Sequence, residues 1–349
     1  MSTSADWTES GSRSEETAGE GPAWTYEEAC ARNLGLISPE EQQRLRSSRV
    51  AIIGMGGVGG IHLVTLARLG IGRFTIADPD TFELANFNRQ YGATLPNLGR
   101  PKVKVMAEEA RAINPELDLR VFSGAITSEN AADFLDGAEV LLDGIDFFSF
   151  DARRMIFREA RQRGIWAITA GPIGFSAAWL VFDPNGMGFD EYFDLHDGMA
   201  PVDQFAAFAI GVAPAGTQFA YIDLSQVEGG AARGPSAALA CDLCAGVAAA
   251  ETVKILLDRT GIRSAPHYSQ FDAYRCILRR GRLRWGNRGP LQRLKRAILR
   301  RRMLQLGYGG SIPPRALQTA TVSRGGTAAD DGSEPLDRRA RQCTSRLKR

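Results

Sequence analysis

The residues of this chain best suited to chemistry begin at Gly54. Gly54, Gly56 and Gly59 stand in G-x-G-x-x-G spacing within "VAIIGMGGVGGIHLVTLARLG", after an apolar run and before a helical pattern. In that context the first glycine permits a tight turn, the second lets backbone approach phosphate and the third lets helix and strand pack closely. The N-terminus of the following helix then offers free amide groups and a partial positive charge to an anion. Asp78, at the end of the next apolar run, stands where a ribose-hydroxyl partner belongs. Up to this point NAD and ATP fit equally well.

The next residues separate the two. Asn86, Arg89 and Gln90 follow in "ADPDTFELANFNRQYG", and Lys102 opens the helical pattern of "GRPKVKVMAEEA". An arginine and a lysine near the phosphates suit a triphosphate attacked at its α-phosphorus, where positioned cations stabilise developing charge. Magnesium is expected to share that charge, with Asp146 of "EVLLDGIDFF" as its carboxylate and Asp143 beside it on the same strand. Mg²⁺ commonly takes one or two carboxylates plus substrate phosphates. The alternative role for Asp146 is a cap for the following helix.

These residues need a scaffold, and the pattern supplies one. Strand-like runs at "RVAIIG", "RFTIAD", "LDLRVFS", "AEVLLDGID" and "WAITAGP" alternate with helical patterns. That alternation predicts an α/β fold with a Rossmann-like, doubly wound, mostly parallel sheet. Ligands of such sheets lie outside the carboxyl ends of the strands, which brings Asp146 and the glycine loop to one crevice. From "SAAWLVFDP" onward the pattern loosens into a decorated C-terminal half, with a helix at "LCAGVAAAETVKILLDRTG" and strands around "HYSQFDAYRCILRRG" and "RLRWG". Residues 1–24 and 310–349 are polar and low in apolar content, and are expected to be a disordered leader and tail.

Residues 286–309 contain a basic amphipathic helix with Leu291, Leu294, Ile298 and Leu299 at helical spacing. It either packs on the body with a wet basic face or meets an anionic membrane or an acidic partner. With 42 Lys and Arg against 40 Asp and Glu, the charge of +2 is too balanced to imply nucleic-acid binding by the body. The chain has no long apolar segment and no basic-then-apolar start, so a cytoplasmic protein is expected. Five cysteines without framework spacing point to thiols rather than a disulfide-stapled domain. His62, His196 and His267 have no ligand-spaced partners and receive no role.

Taken together, "ARNLGLISPEEQQRLRSSRVAIIGMGGVGG", "IADPDTFELANFNRQ", "GRPKVKV", "NPELDLRVFSGAIT", "VLLDGID" and "CDLCAGVAAAETVKILL" give the chain a specific likeness over residues 25–285. The chain resembles the ubiquitin-activating enzyme superfamily in its bacterial ThiF/MoeB/HesA branch. The resemblance implies Mg-ATP-dependent adenylation of the C-terminal carboxylate of a small ubiquitin-like or sulfur-carrier protein, commonly ending in Gly-Gly, with release of pyrophosphate. It implies nucleotide contacts from Gly54, Gly56, Gly57, Gly59, Asp78, Asp80, Asn86, Arg89, Gln90 and Lys102, and a metal ligand in Asp146. Arg32 looks like the arginine that relatives insert into the partner subunit's ATP site, which implies a homodimer; otherwise it is a surface charge. Relatives commonly hold zinc with two CxxC pairs, but here only Cys241 and Cys244 form one, so zinc is not expected. The segment 183–235 lacks the cysteine that some relatives use to take the activated carrier. Cys241 is then either a nucleophile or a buried inert thiol. Other acceptors in keeping with the likeness are a carboxylate on modified tRNA or on a peptide natural product. A catalytically silent scaffold and an NAD-dependent dehydrogenase complete the alternatives.

Overall fold

The computed structural model describes residues 23–223 and 235–305, so the expected tail and nearly all of the expected leader lie outside the described residues. The sheet has eight strands in the order β3-β2-β1-β4-β5-β6-β7-β8. Strands β1 (Arg49–Ile53), β2 (Arg73–Ala77), β3 (Asp118–Phe122), β4 (Val140–Asp143) and β5 (Trp166–Ile173) are mutually parallel. The later strands β6 (Ser176–Phe182), β7 (His267–Asp272) and β8 (Ile277–Arg282) join antiparallel. The chain order reverses between β1 and β4, the switch point at which doubly wound sheets open a crevice.

Side-chain alternation along the strands builds a core on each face. Val50 and Ile52 of β1 point into one apolar cluster, Ala51 and Ile53 into the other. The first cluster takes in α3 (Gly59–Arg68), α4 (Lys102–Ile113) and α9 (Ala238–Leu256). The second takes in α5 (Ala131–Leu135), α6 (Phe150–Gln162), α7 (Phe189–Phe193) and α8 (Pro201–Val212). Coverage on both sides explains why β1 and β4 are buried at every position rather than at alternate ones. Two short N-terminal helices, α1 (Tyr26–Cys30) and α2 (Pro39–Ser47), precede β1; Ser38 and Glu41 close a capping box on α2.

Four details depart from the expectations. "RLRWG" is not a separate strand: β8 ends at Arg282, and a 3-10 turn over Gly286–Arg288 leads into α10 (Pro290–Gln305). Helix α9 begins at Ala238, which puts Cys241 in its first turn. Asp146 lies three residues past the end of β4 instead of on the strand with Asp143. Finally, α10 buries Gln292 and Met303 while Leu291, Leu294 and Ile298 stay exposed. No helix among the described residues is long and apolar enough to cross a membrane.

Candidate nucleotide site at the carboxyl edge of the sheet

The glycine loop joins β1 to α3, and its shape depends on two missing β-carbons. Gly54 has φ of +88°, and a Cβ there would lie 2.2 Å from the Gly144 carbonyl oxygen. A Cβ on Gly59 would lie 1.7 Å from the Gly54 carbonyl oxygen. Both obstacles are backbone, so neither can swing away. Gly54 donates to the Ala77 carbonyl at 2.7 Å and Gly144 to that of Ile53 at 2.8 Å, which seats the loop between the ends of β2 and β4.

Asp78 braces this loop. Its Oδ2 accepts from the Met55 amide at 2.6 Å and its Oδ1 from the Asp80 amide at 2.7 Å. Burial raises its carboxyl above the ordinary value, opposed by the nearby Lys102 charge and the two amides. Lys102 is buried at the start of α4, where its amide donates to the Asp80 carbonyl at 2.9 Å and its Nζ lies 3.3 Å from Asp80 Oδ2. The expected ribose carboxylate, Asp80 and the expected phosphate lysine are thus linked to the glycine loop by hydrogen bonds and charge.

The segment after β2 forms the other wall. Asn86 is buried and its Oδ1 accepts from the Glu83 amide at 2.9 Å, holding the turn from which Arg89 and Gln90 extend. A Cβ on Gly56 would lie 3.6 Å from Gln90 Nε2. Gln90 Oε1 is buried without a hydrogen-bond partner among the described residues. Arg89 Nη1 donates to the Ala85 carbonyl and to Asn88 Oδ1, each at 2.9 Å, while its stem lies against the position of a Gly57 Cβ at 3.8 Å. Asn88 Nδ2 donates to the Ser236 carbonyl at 2.9 Å and ties this wall to the entry of α9.

Cys241 completes that corner. Its Sγ would be 3.1 Å from a Cβ on Gly57, so the thiol backs the loop directly. Burial pushes the thiol up to about 11, with the Arg89 charge acting in the opposite direction. Cys244, one turn on, is fully buried, and burial pushes its thiol well above the ordinary range too. These features suit packing and argue against a thiolate nucleophile. Among the described residues no group of three or more His, Cys, Asp or Glu is arranged to hold a metal.

The turn after β4 carries Asp146, and a residue absent from the sequence expectations holds it. Arg153 of α6 pairs with Asp143 at 2.8 Å, with side chains 3% and 2% exposed. Arg153 Nη2 also donates to the carbonyls of Ile145 at 2.6 Å and Asp146 at 3.2 Å. Asp143 Oδ2 further accepts from Thr169 Oγ1 at 2.8 Å, and its Oδ1 from the Ile145 amide at 3.1 Å. Asp143 is therefore consumed by structure, and Asp146 alone of the two reaches solvent. The Asp146 carboxylate accepts from the Phe148 amide at 3.4 Å, a weak local contact, while Ser149 is the N-cap residue of α6. An exposed carboxylate beside the glycine loop fits a magnesium ion whose remaining ligands are phosphates and water. The clue to Arg153 was its place in the helix after "DGID", a position that does not distinguish it from its neighbour Arg154.

Arg32 lies apart, in a 3-10 turn over Ala31–Asn33 after α1. Asn33 Nδ2 pins this turn to Gln42 Oε1 at 3.0 Å and to the Leu69 carbonyl at 3.1 Å. Arg32 is exposed, makes no ion pair among the described residues, and is followed by exposed Leu34 and Leu36.

Comparison with known proteins gives the family. The ThiF family profile matches residues 30–288. The tRNA threonylcarbamoyladenosine dehydratase of Haemophilus influenzae is 34% identical over 140 residues, covering 40% of this chain and 53% of that protein. The sulfur carrier protein ThiS adenylyltransferase of Escherichia coli is 32% identical over 151 residues, covering 43% and 59%. This chain thus spans about half the length of the curated relatives it matches. Among solved structures, PaaA aligns with a TM-score of 0.56 at 19% identity over 77% of both chains. E. coli MccB with MccA-N7isoASN aligns at 0.53 and 18% identity, over 70% of this chain and 67% of that one. At these identities the structural matches establish the fold alone.

Proposed function

Since the chain belongs to the ThiF family, we propose that it is an adenylyltransferase that uses Mg-ATP to activate the C-terminal carboxylate of a small ubiquitin-like or sulfur-carrier protein. The observation that carries this reading is the glycine cradle backed by Gln90 and Arg89 and hydrogen-bonded through Asp78 to the Asp80–Lys102 pair. Two cations beside a phosphate loop favour chemistry on a triphosphate over hydride transfer.

The acceptor carboxylate is already ionised near neutral pH, so no general base is required. Its oxygen attacks the α-phosphorus, a C–O–P bond forms, and the bond from that phosphorus to the bridging oxygen breaks to release pyrophosphate. The contribution of the protein is positioning and electrostatics. Backbone amides of the loop at Gly56 and Gly57 hold phosphate oxygens, Arg89 and Lys102 meet the charge that grows on the α-phosphate and the departing pyrophosphate, and Gln90 and Asn86 fix the wall that orients them. When bound, Mg²⁺ neutralises phosphate charge, and Asp146 is the residue to hold it. Asp78, already committed to two amides, retains lone pairs for a ribose hydroxyl.

The exposed Arg32 turn, flanked by Leu34 and Leu36, favours a homodimer in which each protomer lends Arg32 to the partner's site. Coexpressed Arg32→Ala and Lys102→Ala chains then regain part of the lost activity in mixed dimers. A second acceptor class, a carboxylate on modified tRNA, is favoured by the 34% likeness to a tRNA threonylcarbamoyladenosine dehydratase.

The discriminating experiment incubates the full chain with Mg-ATP and either small proteins ending in Gly-Gly or tRNA, and reads AMP addition by intact mass. An AMP adduct on one carrier protein supports the leading reading. An adduct on tRNA alone transfers the activity to the second acceptor. No ATP turnover with any acceptor overturns the enzyme assignment.

A further inference from the structure

Helix α10 is held to the body largely by polar anchors, and three of its aliphatic residues are left exposed. Gln292 is buried, and its Nε2 donates to the Ile210 carbonyl at 3.4 Å and to Asn287 Oδ1 at 3.3 Å. Lys295 Nζ donates to the Pro214 carbonyl at 2.8 Å, Arg296 Nη1 to Asp194 Oδ2 at 2.6 Å, and Met303 is buried below them. This three- and four-residue spacing defines the inward face against α8. Leu291, Leu294 and Ile298 recur at i, i+3 and i+7 on another face and are 63%, 58% and 62% exposed. Three branched aliphatic side chains on successive turns are thus mostly exposed.

Charge on the same helix is as one-sided. Arg301 and Arg302 continue the apolar row by one further turn, and among the described residues no carboxylate pairs with either. Arg300 by contrast is bound to Asp203 at 2.7 Å. No acidic residue occurs in the sequence between Asp272 and Asp330.

We propose that this face of α10 docks the enzyme peripherally on an anionic lipid bilayer. Both halves of the surface find a use there: the aliphatic stripe enters the headgroup boundary, and the flanking arginines meet lipid phosphates. An RNA backbone satisfies the arginines but leaves the stripe in water, since single-stranded bases are held by aromatic stacking and duplexes by phosphate contacts. Exposed Trp285, just ahead of the helix, is of a type enriched at membrane interfaces. The contact is superficial because no described helix is long and apolar enough to span a bilayer.

The test is sedimentation of the full chain with vesicles of phosphatidylcholine alone or with phosphatidylglycerol added. The expected result is binding only when phosphatidylglycerol is present, weakened by salt. Replacement of Leu291, Leu294 and Ile298 together by Gln, at exposed positions that leave the circular dichroism and the adenylation activity unchanged, lowers vesicle binding by about tenfold. Arg301→Gln with Arg302→Gln lowers it by a similar factor. Equal binding of wild type and triple variant to phosphatidylglycerol vesicles overturns the proposal, as does failure of the wild type to bind them. So does a stripe that proves to hold two copies of the chain together, seen as a halved mass in the triple variant with no vesicle binding by either protein. RNA binding unaffected by loss of the stripe, without vesicle binding, assigns the arginines to RNA instead. Because adenylation is read separately, loss of vesicle binding and loss of enzyme function are distinguishable.

Discussion

Arg153→Met removes the residue that holds the Asp146 turn, and the structure sets the size of the effect. Arg153 and Asp143 are 3% and 2% exposed and meet at 2.8 Å, while the same guanidinium binds the carbonyls of Ile145 and Asp146. Methionine fills much of the volume but leaves the Asp143 carboxylate buried without a counter-charge and takes a donor from three carbonyls, those of Ile145, Asp146 and Phe147. Breaking one side of a dry ion pair costs about 3–5 kcal/mol, a large share of the roughly 5–15 kcal/mol that keeps a domain folded. Thr169 Oγ1 and the Ile145 amide still reach Asp143, which places the expectation at the lower end, about 3 kcal/mol. Asp143→Leu alone is similarly harmful because it strands the arginine. The double substitution costs far less than the sum, since both charges leave together. Urea denaturation of the four proteins completes the cycle, and pyrophosphate exchange on the folded fraction reads the displaced Asp146. A loss below about 1 kcal/mol for Arg153→Met, the range of exposed pairs, would refute the claim that this pair is dry and holds the turn.

Gly54→Ala and Gly59→Ala each drive a methyl into backbone oxygen, at 2.2 and 1.7 Å. Either lowers ATP affinity by about tenfold or more through a reshaped cradle, measured by calorimetric titration; unchanged affinity contradicts the steric reading. His62 is fully buried with Nδ1 unpartnered, and burial lowers its pKa to about 4 against an ordinary 6.5. The unfolded chain takes up this proton first, so stability is complete above the unfolded value and falls with pH toward 4, with about 2 kcal/mol lost by pH 5. Thermal or urea unfolding should show that extra acid sensitivity in the wild type relative to His62→Leu, and equal pH slopes remove the argument. Cys241, raised to about 11 by burial, resists alkylation in the native state at pH 8, and Cys241→Ser retains adenylation. Rapid native-state labelling that stops turnover makes it a reactive thiol instead.

The parallel half of the fold was legible because β1, β2 and β4 are buried on both faces and read as short apolar runs between helical patterns. The glycine spacing marked the loop, since Gly54 and Gly59 stand where a side chain would meet backbone. Less legible were the residues whose role depends on a distant partner. Arg153 sits ten positions from Asp143 with nothing in its neighbourhood to mark it, and Cys241 reaches Gly57 only through the packing of α9 against α3. The α8 helix, "PVDQFAAFAIGV", is apolar nearly all round and gave no stripe to recognise. For α10 the periodicity located the helix but not its inward face: Gln292, Lys295 and Arg296 find specific acceptors on the body, while the leucines find none. Hydrophobic spacing is silent on such anchors.

ATP–pyrophosphate exchange, measured with a cognate acceptor for the wild type and for Arg89→Ala, Lys102→Ala and Asp146→Asn, tests the central claim most directly. The account predicts acceptor-dependent exchange by the wild type and a loss of about 10²–10³ in each variant, with folded circular dichroism retained. Full exchange by all three variants would contradict it.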